Sequence, residues 1–101
     1  MAAAILITGA NRGLGFEFAR QYVAYGWRVF AACRNPDAAS KLRRLAQDSG
    51  GMLNIVPMDV TDAESVRNTA RQLKDVAIDV LINSAGIAGA STTNPGPMYS
   101  M

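Results

Sequence analysis

Thr8-Gly9-Ala10-Asn11-Arg12-Gly13-Leu14-Gly15 is the stretch that decides the fold of this chain. Its glycines follow the spacing T-G-x-x-x-G-x-G. The apolar run Ala3 to Thr8 leads into it and reads as a parallel strand covered on both faces. Beyond it, Gly13 to Tyr25 has helical spacing. Leu14, Phe18, Tyr22 and Tyr25 are expected on one inward stripe, and Gly26 ends the helix in a left-handed conformation. A glycine loop between a strand and a helix suits a pyrophosphate. Gly9 makes the tight turn off the strand. Gly13 and Gly15 remove side chains where phosphates and the facing strand approach the backbone, and the helix N-terminus offers unpaired N–H groups. Asn11, Arg12 and Leu14 complete the expected binding loop. The competing reading is a purely structural turn. The strand–loop–helix context and the pattern downstream favour the cradle.

Outward from the loop, strand-like and helix-like segments alternate. Trp27 to Cys33 reads as a second strand and Asp37 to Asp48 as a second helix, with Leu42, Leu45 and Ala46 inward and Gly50-Gly51 as its stop. Asp37 fits a helix N-terminal position after Pro36. Leu53 to Met58 is a third strand. Thr61-Asp62-Ala63-Glu64 has the form of a capping box and opens a third helix to about Lys74, with Val66, Ala70 and Leu73 inward. Ile78 to Asn83 is a fourth strand. The order is βαβαβαβ. Right-handed crossovers then predict an α/β fold, a three-layer Rossmann-like parallel sheet with strand order 3-2-1-4. The fourth strand falls at an edge, where Val80-Leu81-Ile82 is too apolar for comfortable exposure. The chain is therefore expected to be incomplete, or to have something pairing with or covering this strand. Residues 1–88 are expected to form a dinucleotide-binding half-domain. Residues 89–101, rich in Gly, Ser, Thr, Asn and Pro, read as loop or disorder.

Composition narrows the function classes. The 101 residues suit one domain, and half of them are apolar, as in an ordinary globular core. The net charge is only +2 and the basic residues are scattered, which argues against a nucleic-acid-binding tail. There is no histidine, so the chain holds no His-based catalysis, no His metal site and no Ser-His-Asp triad. No metal site is expected. The lone Cys33 cannot form an internal disulfide, which fits a cytoplasmic setting, and it reads as a small buried apolar residue. The apolar N-terminus, Met1 to Ile7, is too short for a membrane span and lacks a basic leader.

Three further motifs stand in order after the loop. Arg34 follows the second strand, Asp59-Val60 the third, and Asn83-Ser84-Ala85-Gly86 ends the fourth. With them the chain resembles, from about residue 4 to 90, the compact branch of the short-chain dehydrogenase/reductase family. An acid at the end of the second strand would accept hydrogen bonds from a free ribose 2′-hydroxyl and repel a 2′-phosphate. Here Cys33 and Arg34 stand there, with Arg12 in the loop itself. Two guanidinium groups suit a phosphate, and the resemblance implies NADP(H) as cofactor. The alternative for both arginines is a solvated loop position. The resemblance also implies that Asp59 faces the adenine amino group and the Val60 backbone the adenine ring. Asn83, Ala85 and Gly86 would line the ribose and the middle of the sheet. Family members usually carry Asn where Ser84 stands.

The same resemblance implies reversible carbonyl/alcohol hydride transfer. In the family a Tyr donates the proton to the developing alkoxide, helped by a Lys four residues later, a Ser and an Asn. No Tyr-x-x-x-Lys occurs here. Gly26 and Val29 stand four residues after Tyr22 and Tyr25, both read as core, and Tyr99 has no residue at that distance. No catalytic residue is assigned. The chain is expected to be inactive alone and to be the cofactor-binding part of a longer reductase, which would take a small carbonyl or alcohol substrate. A non-catalytic NADP(H)-binding or regulatory module is the alternative. A different Rossmann-type enzyme, such as a methyltransferase, is disfavoured by the glycine spacing and by Arg12 and Arg34. Homo-oligomerisation stays open.

Overall fold

The computed structural model describes residues 3–84. In chain order these form β1 (Ala4–Thr8), α1 (Gly13–Ala24), β2 (Arg28–Cys33), a 3-10 turn (Pro36–Ala38), α2 (Ser40–Asp48), β3 (Leu53–Pro57), α3 (Ala63–Gln72) and β4 (Val80–Asn83). All pairings are parallel, in the order β3-β2-β1-β4. Ile7 lies opposite Ala31 of β2 and Ile82 of β4, and Ala31 lies opposite Ile55 of β3. This is the parallel three-layer Rossmann-like sheet expected from the alternation of segments. β4 is an edge strand, also as expected.

Because strand side chains alternate, the sheet has two differently covered faces. Ile5, Ile7, Val29, Ala31, Cys33 and Leu53 point to one face and join Ala19 of α1 and Leu42 of α2 in the main core. Ala4, Phe30 and Val56 point to the other, where Leu6, Leu73, Val76 and Ile78 pack against them. The start of the sheet is clasped across the whole described chain. The Ala4 N–H donates to the Asp79 carboxylate at 2.8 Å, and the Asp79 N–H donates to the Ala4 carbonyl at 2.8 Å.

Helix ends follow local chemistry. Gly26, at φ +84°, closes α1. The Trp27 N–H reaches the Tyr22 carbonyl and the Gly26 N–H the Val23 carbonyl, the paired bonds of a left-handed helix stop. Gly50 and Gly51, both at positive φ, follow α2.

Several local expectations are corrected. The buried side of α1 carries Gly15 and Ala19, while Leu14 and Tyr25 are exposed. Of the apolar stripe Leu14, Phe18, Tyr22 and Tyr25, Phe18 and Tyr22 pack against the main core while its two ends lie outside it. Tyr25 is thus no core residue; it stacks edge-on against Tyr22. α2 begins at Ser40, since Pro36–Ala38 close a separate 3-10 turn and Asp37 belongs to that turn. The N-cap of α3 is Asp62, whose carboxylate accepts from the Glu64 N–H at 3.0 Å; Thr61 instead donates to Asp59. On α3, Thr69 is buried, whereas Val66 and Ala70 are exposed. They face the sheet side, but nothing described lies over them. Among the described residues no helix is long and apolar enough to cross a membrane.

Candidate functional site

The glycine loop leaves β1 at the carboxyl end of the sheet. Gly9 and Gly13 both have φ +60°, a conformation that residues with a Cβ adopt at a cost. Ala10 is fully buried, and its N–H donates to the Ala32 carbonyl at 3.0 Å, pinning the loop to β2. Gly15 serves a different purpose. A Cβ there would collide with the Gly9 carbonyl and the Ser84 hydroxyl, so only glycine lets α1 start this close to the turn. Arg12, in extended conformation, is the N-cap residue of α1; no side chain caps the helix, and no acid lies in its first turn. The leading N–H groups of α1 and its positive dipole end therefore face outward uncontested. Asn11, Arg12, Gly13 and Leu14 are all exposed around them. A cradle lined by glycine backbone, with no competing carboxylate, fits a pyrophosphate.

The ends of β2 and β3 form the next part of the site. Cys33 is buried, and burial pushes its thiol pKa up; Arg34 is exposed directly after it. The ion pairs among the described residues join Arg20 to Glu17 and Arg67 and Arg71 to Glu64, leaving Arg12 and Arg34 outside them. Asp59 follows β3. Its Oδ1 accepts from the Thr61 N–H at 2.9 Å and the Thr61 hydroxyl at 2.7 Å, and its own N–H donates to the Ser65 hydroxyl at 2.8 Å. The Thr61 bonds, and secondarily the positive charge of Arg34, hold its carboxyl below the usual carboxylate range. Asp59 thus stays ionised, with Arg34 close enough to act on it. Val60, beside it, is 40% exposed.

Between β1 and β4 the site is closed by side chains. The Thr8 hydroxyl donates to Asn83 Oδ1 at 2.7 Å. The Ser84 hydroxyl donates to the Thr8 carbonyl, with the Gly9 carbonyl 3.5 Å away. The structure therefore brings Gly9, Gly15, Asn83 and Ser84 into one contact zone and sets Arg34 near Asp59. Ala85 and Gly86, and the tail 89–101, lie outside the described residues. The sequence marks Thr8 as part of the glycine motif and Thr61 as part of a capping box, neither as a site residue, and gives no sign of Ser65. Asp59-x-Thr61 does carry the signature of an Asx turn, which would have revealed Thr61. No group of three or more His, Cys, Asp or Glu among the described residues is arranged to hold a metal ion.

The model of the short chain dehydrogenase family matches residues 3–100. The chain belongs to the short-chain dehydrogenase family. Among curated members, serine 3-dehydrogenase of Agrobacterium fabrum is 35% identical over 103 residues, covering 100% of this chain and 39% of its own length. Human retinol dehydrogenase 5 is 34% identical over 97 residues, covering 92% of this chain and 30% of its own length. Among solved structures, a carbonyl reductase from Pseudomonas aeruginosa in complex with NADP superposes with TM-score 0.80 at 34% identity. That match covers 87% of this chain and 40% of the other. Menthone neomenthol reductase from Mentha piperita gives TM-score 0.77 at 29% identity, covering 86% and 32%. The chain thus spans about two fifths of the first curated family member it matches.

Proposed function

We propose that this chain binds NADP(H) and provides the cofactor-binding part, residues 1–88, of an oxidoreductase that moves hydride between a carbonyl and an alcohol. The observation that carries this reading is the uncapped, acid-free start of α1, packed through Gly15 against the Gly9 turn. Its likeness to the NADP-bound carbonyl reductase supports the same cofactor. Gly9, Asn11, Arg12, Gly13, Leu14 and Gly15 would hold the pyrophosphate. Arg34, with Arg12, would take the 2′-phosphate, and Asp59 and Val60 the adenine. Asn83, Ala85 and Gly86 would line the ribose. The dinucleotide, when bound, supplies or accepts the hydride; these residues bind and orient it. Asp59 is ionised at neutral pH, as an ordinary carboxyl is, and its lowered pKa keeps it so further into acid, which suits acceptance from an adenine amino group.

The second reading is a module that binds NADP(H) without turnover. Calorimetric titration with NADPH and NADH tests the cofactor assignment. Charge-assisted hydrogen bonds to a phosphate contribute about 1.5–3 kcal/mol, so NADPH is expected to bind roughly ten- to a hundredfold more tightly. Arg34→Asp should abolish that preference. Equal affinity of the wild-type chain for both dinucleotides would sink the assignment. Carbonyl turnover by the purified chain would exclude the second reading.

A further inference from the structure

We infer that Ser84 is a positioning residue for the dinucleotide: its hydroxyl fixes the pyrophosphate loop against β4. This rests on the cofactor reading above. The backbone ladder between β1 and β4 ends at the Thr8–Asn83 pair. One residue further, a side chain takes over from the backbone. The Ser84 hydroxyl donates to the Thr8 carbonyl and lies 3.5 Å from the Gly9 carbonyl. These two carbonyls flank the point where the chain turns away from the sheet, and Gly9 holds that turn at φ +60°. The opposite side of the loop is tied to β2 by the Ala10 N–H on the Ala32 carbonyl. The loop therefore hangs between two anchors, one made of backbone and one made by Ser84.

The same hydroxyl also meets the far end of the loop. A Cβ on Gly15 would run into the Ser84 oxygen as well as the Gly9 carbonyl. Ser84 thus touches the first and last glycines of the cradle, and Gly15 lies in the first turn of α1, whose N–H groups would face the phosphates. A hydroxyl is small enough to bond the turn and still leave α1 room to approach. Removing it deletes one anchor without touching Arg12, Arg34 or Asp59. The consequence is confined to the pyrophosphate half of the ligand.

Titrating the 101-residue chain and its Ser84→Ala variant with NADPH and with adenosine 2′-monophosphate separates the two halves. The second ligand carries the adenine and the 2′-phosphate but no pyrophosphate. The variant is expected to bind NADPH about fivefold more weakly, the scale of one lost hydrogen bond, and adenosine 2′-monophosphate as tightly as the wild type. Amide hydrogen exchange should quicken in residues 9–15 and stay unchanged in Val29 to Ala32. Unchanged NADPH affinity in the variant overturns this inference and leaves the cofactor reading standing. An equal loss for both ligands, as in a generally destabilised variant, also overturns it. A wild-type chain that binds neither ligand overturns the cofactor reading, and this inference with it.

Discussion

The two faces of the sheet use the same four strands and end in different states. One is covered by α1 and α2, and Ile5, Ile7, Val29 and Leu42 on it are fully buried. The other has α3 alone. A groove of about 460 Å³ remains there, lined by Leu6, Val66, Leu73 and Leu81 among others, and Leu81 is 52% exposed. Leu6 and Ile7 are neighbours in sequence and equally apolar. Only the face to which each points decides that Ile7 is sealed and Leu6 is half-covered. Apolar character therefore marks which residues a sheet prepares for burial, and the helices above determine which are buried.

The comparison is broken or sharpened by substitution on each face. Ile7→Ala should have the largest effect, roughly 2–5 kcal/mol, a loss comparable to much of a small domain's stability. Leu6→Ala should cost about half as much, since its side chain already touches solvent. Urea midpoints of the two variants measure the difference, and equal midpoints would erase the distinction between the faces. Leu81→Ser should fall within about 0.5 kcal/mol of wild type while lowering self-association at high concentration, seen by sedimentation. A destabilisation as large as that of Ile7→Ala would mean that the groove is filled.

The smallest effect belongs to the solvent side of α1. Hydrogen bonds from Arg20 and then Gln21 hold the Glu17 carboxyl down to about 2. A depressed carboxyl pKa stabilises the fold above its ordinary value of 4.5, and that contribution fades as pH falls through about 2. Glu17 and Arg20 are exposed, so the gain is small. Melting temperatures of Glu17→Gln and wild type should differ slightly at pH 7 and converge near pH 2.

What sequence made legible follows the same division. Strand order and the glycine loop were readable because they rest on local periods and on residues with few conformational options, such as Gly9, Gly13 and Gly26. The outcome for Val66 and Ala70 was not, since a helical period tells which side turns toward the sheet and not what lies over it. The start of α2 slipped because Pro36 and Asp37 suit the first turn of either kind of helix. Thr61 and Asp62 are both good caps, and the bond from Thr61 to Asp59 settles the choice. Ser84 was noticed as a departure from Asn, but its contact with Gly9 and Gly15 joins residues some 70 positions apart, beyond the reach of any local pattern.

The clasp between Ala4 and Asp79 carries a consequence for how the molecule comes into being. β1 is synthesised before the other described strands, yet it becomes an interior strand only when β4, the last described one, is laid beside it. The two clasped residues are 75 positions apart. At translation rates of about 5–20 residues per second, that separation keeps one edge of β1 bare for roughly 4–15 s on the ribosome. During this interval the nascent sheet ends in a row of unpaired N–H and carbonyl groups on its most apolar strand, which makes the growing chain, more than the finished one, a client for chaperones.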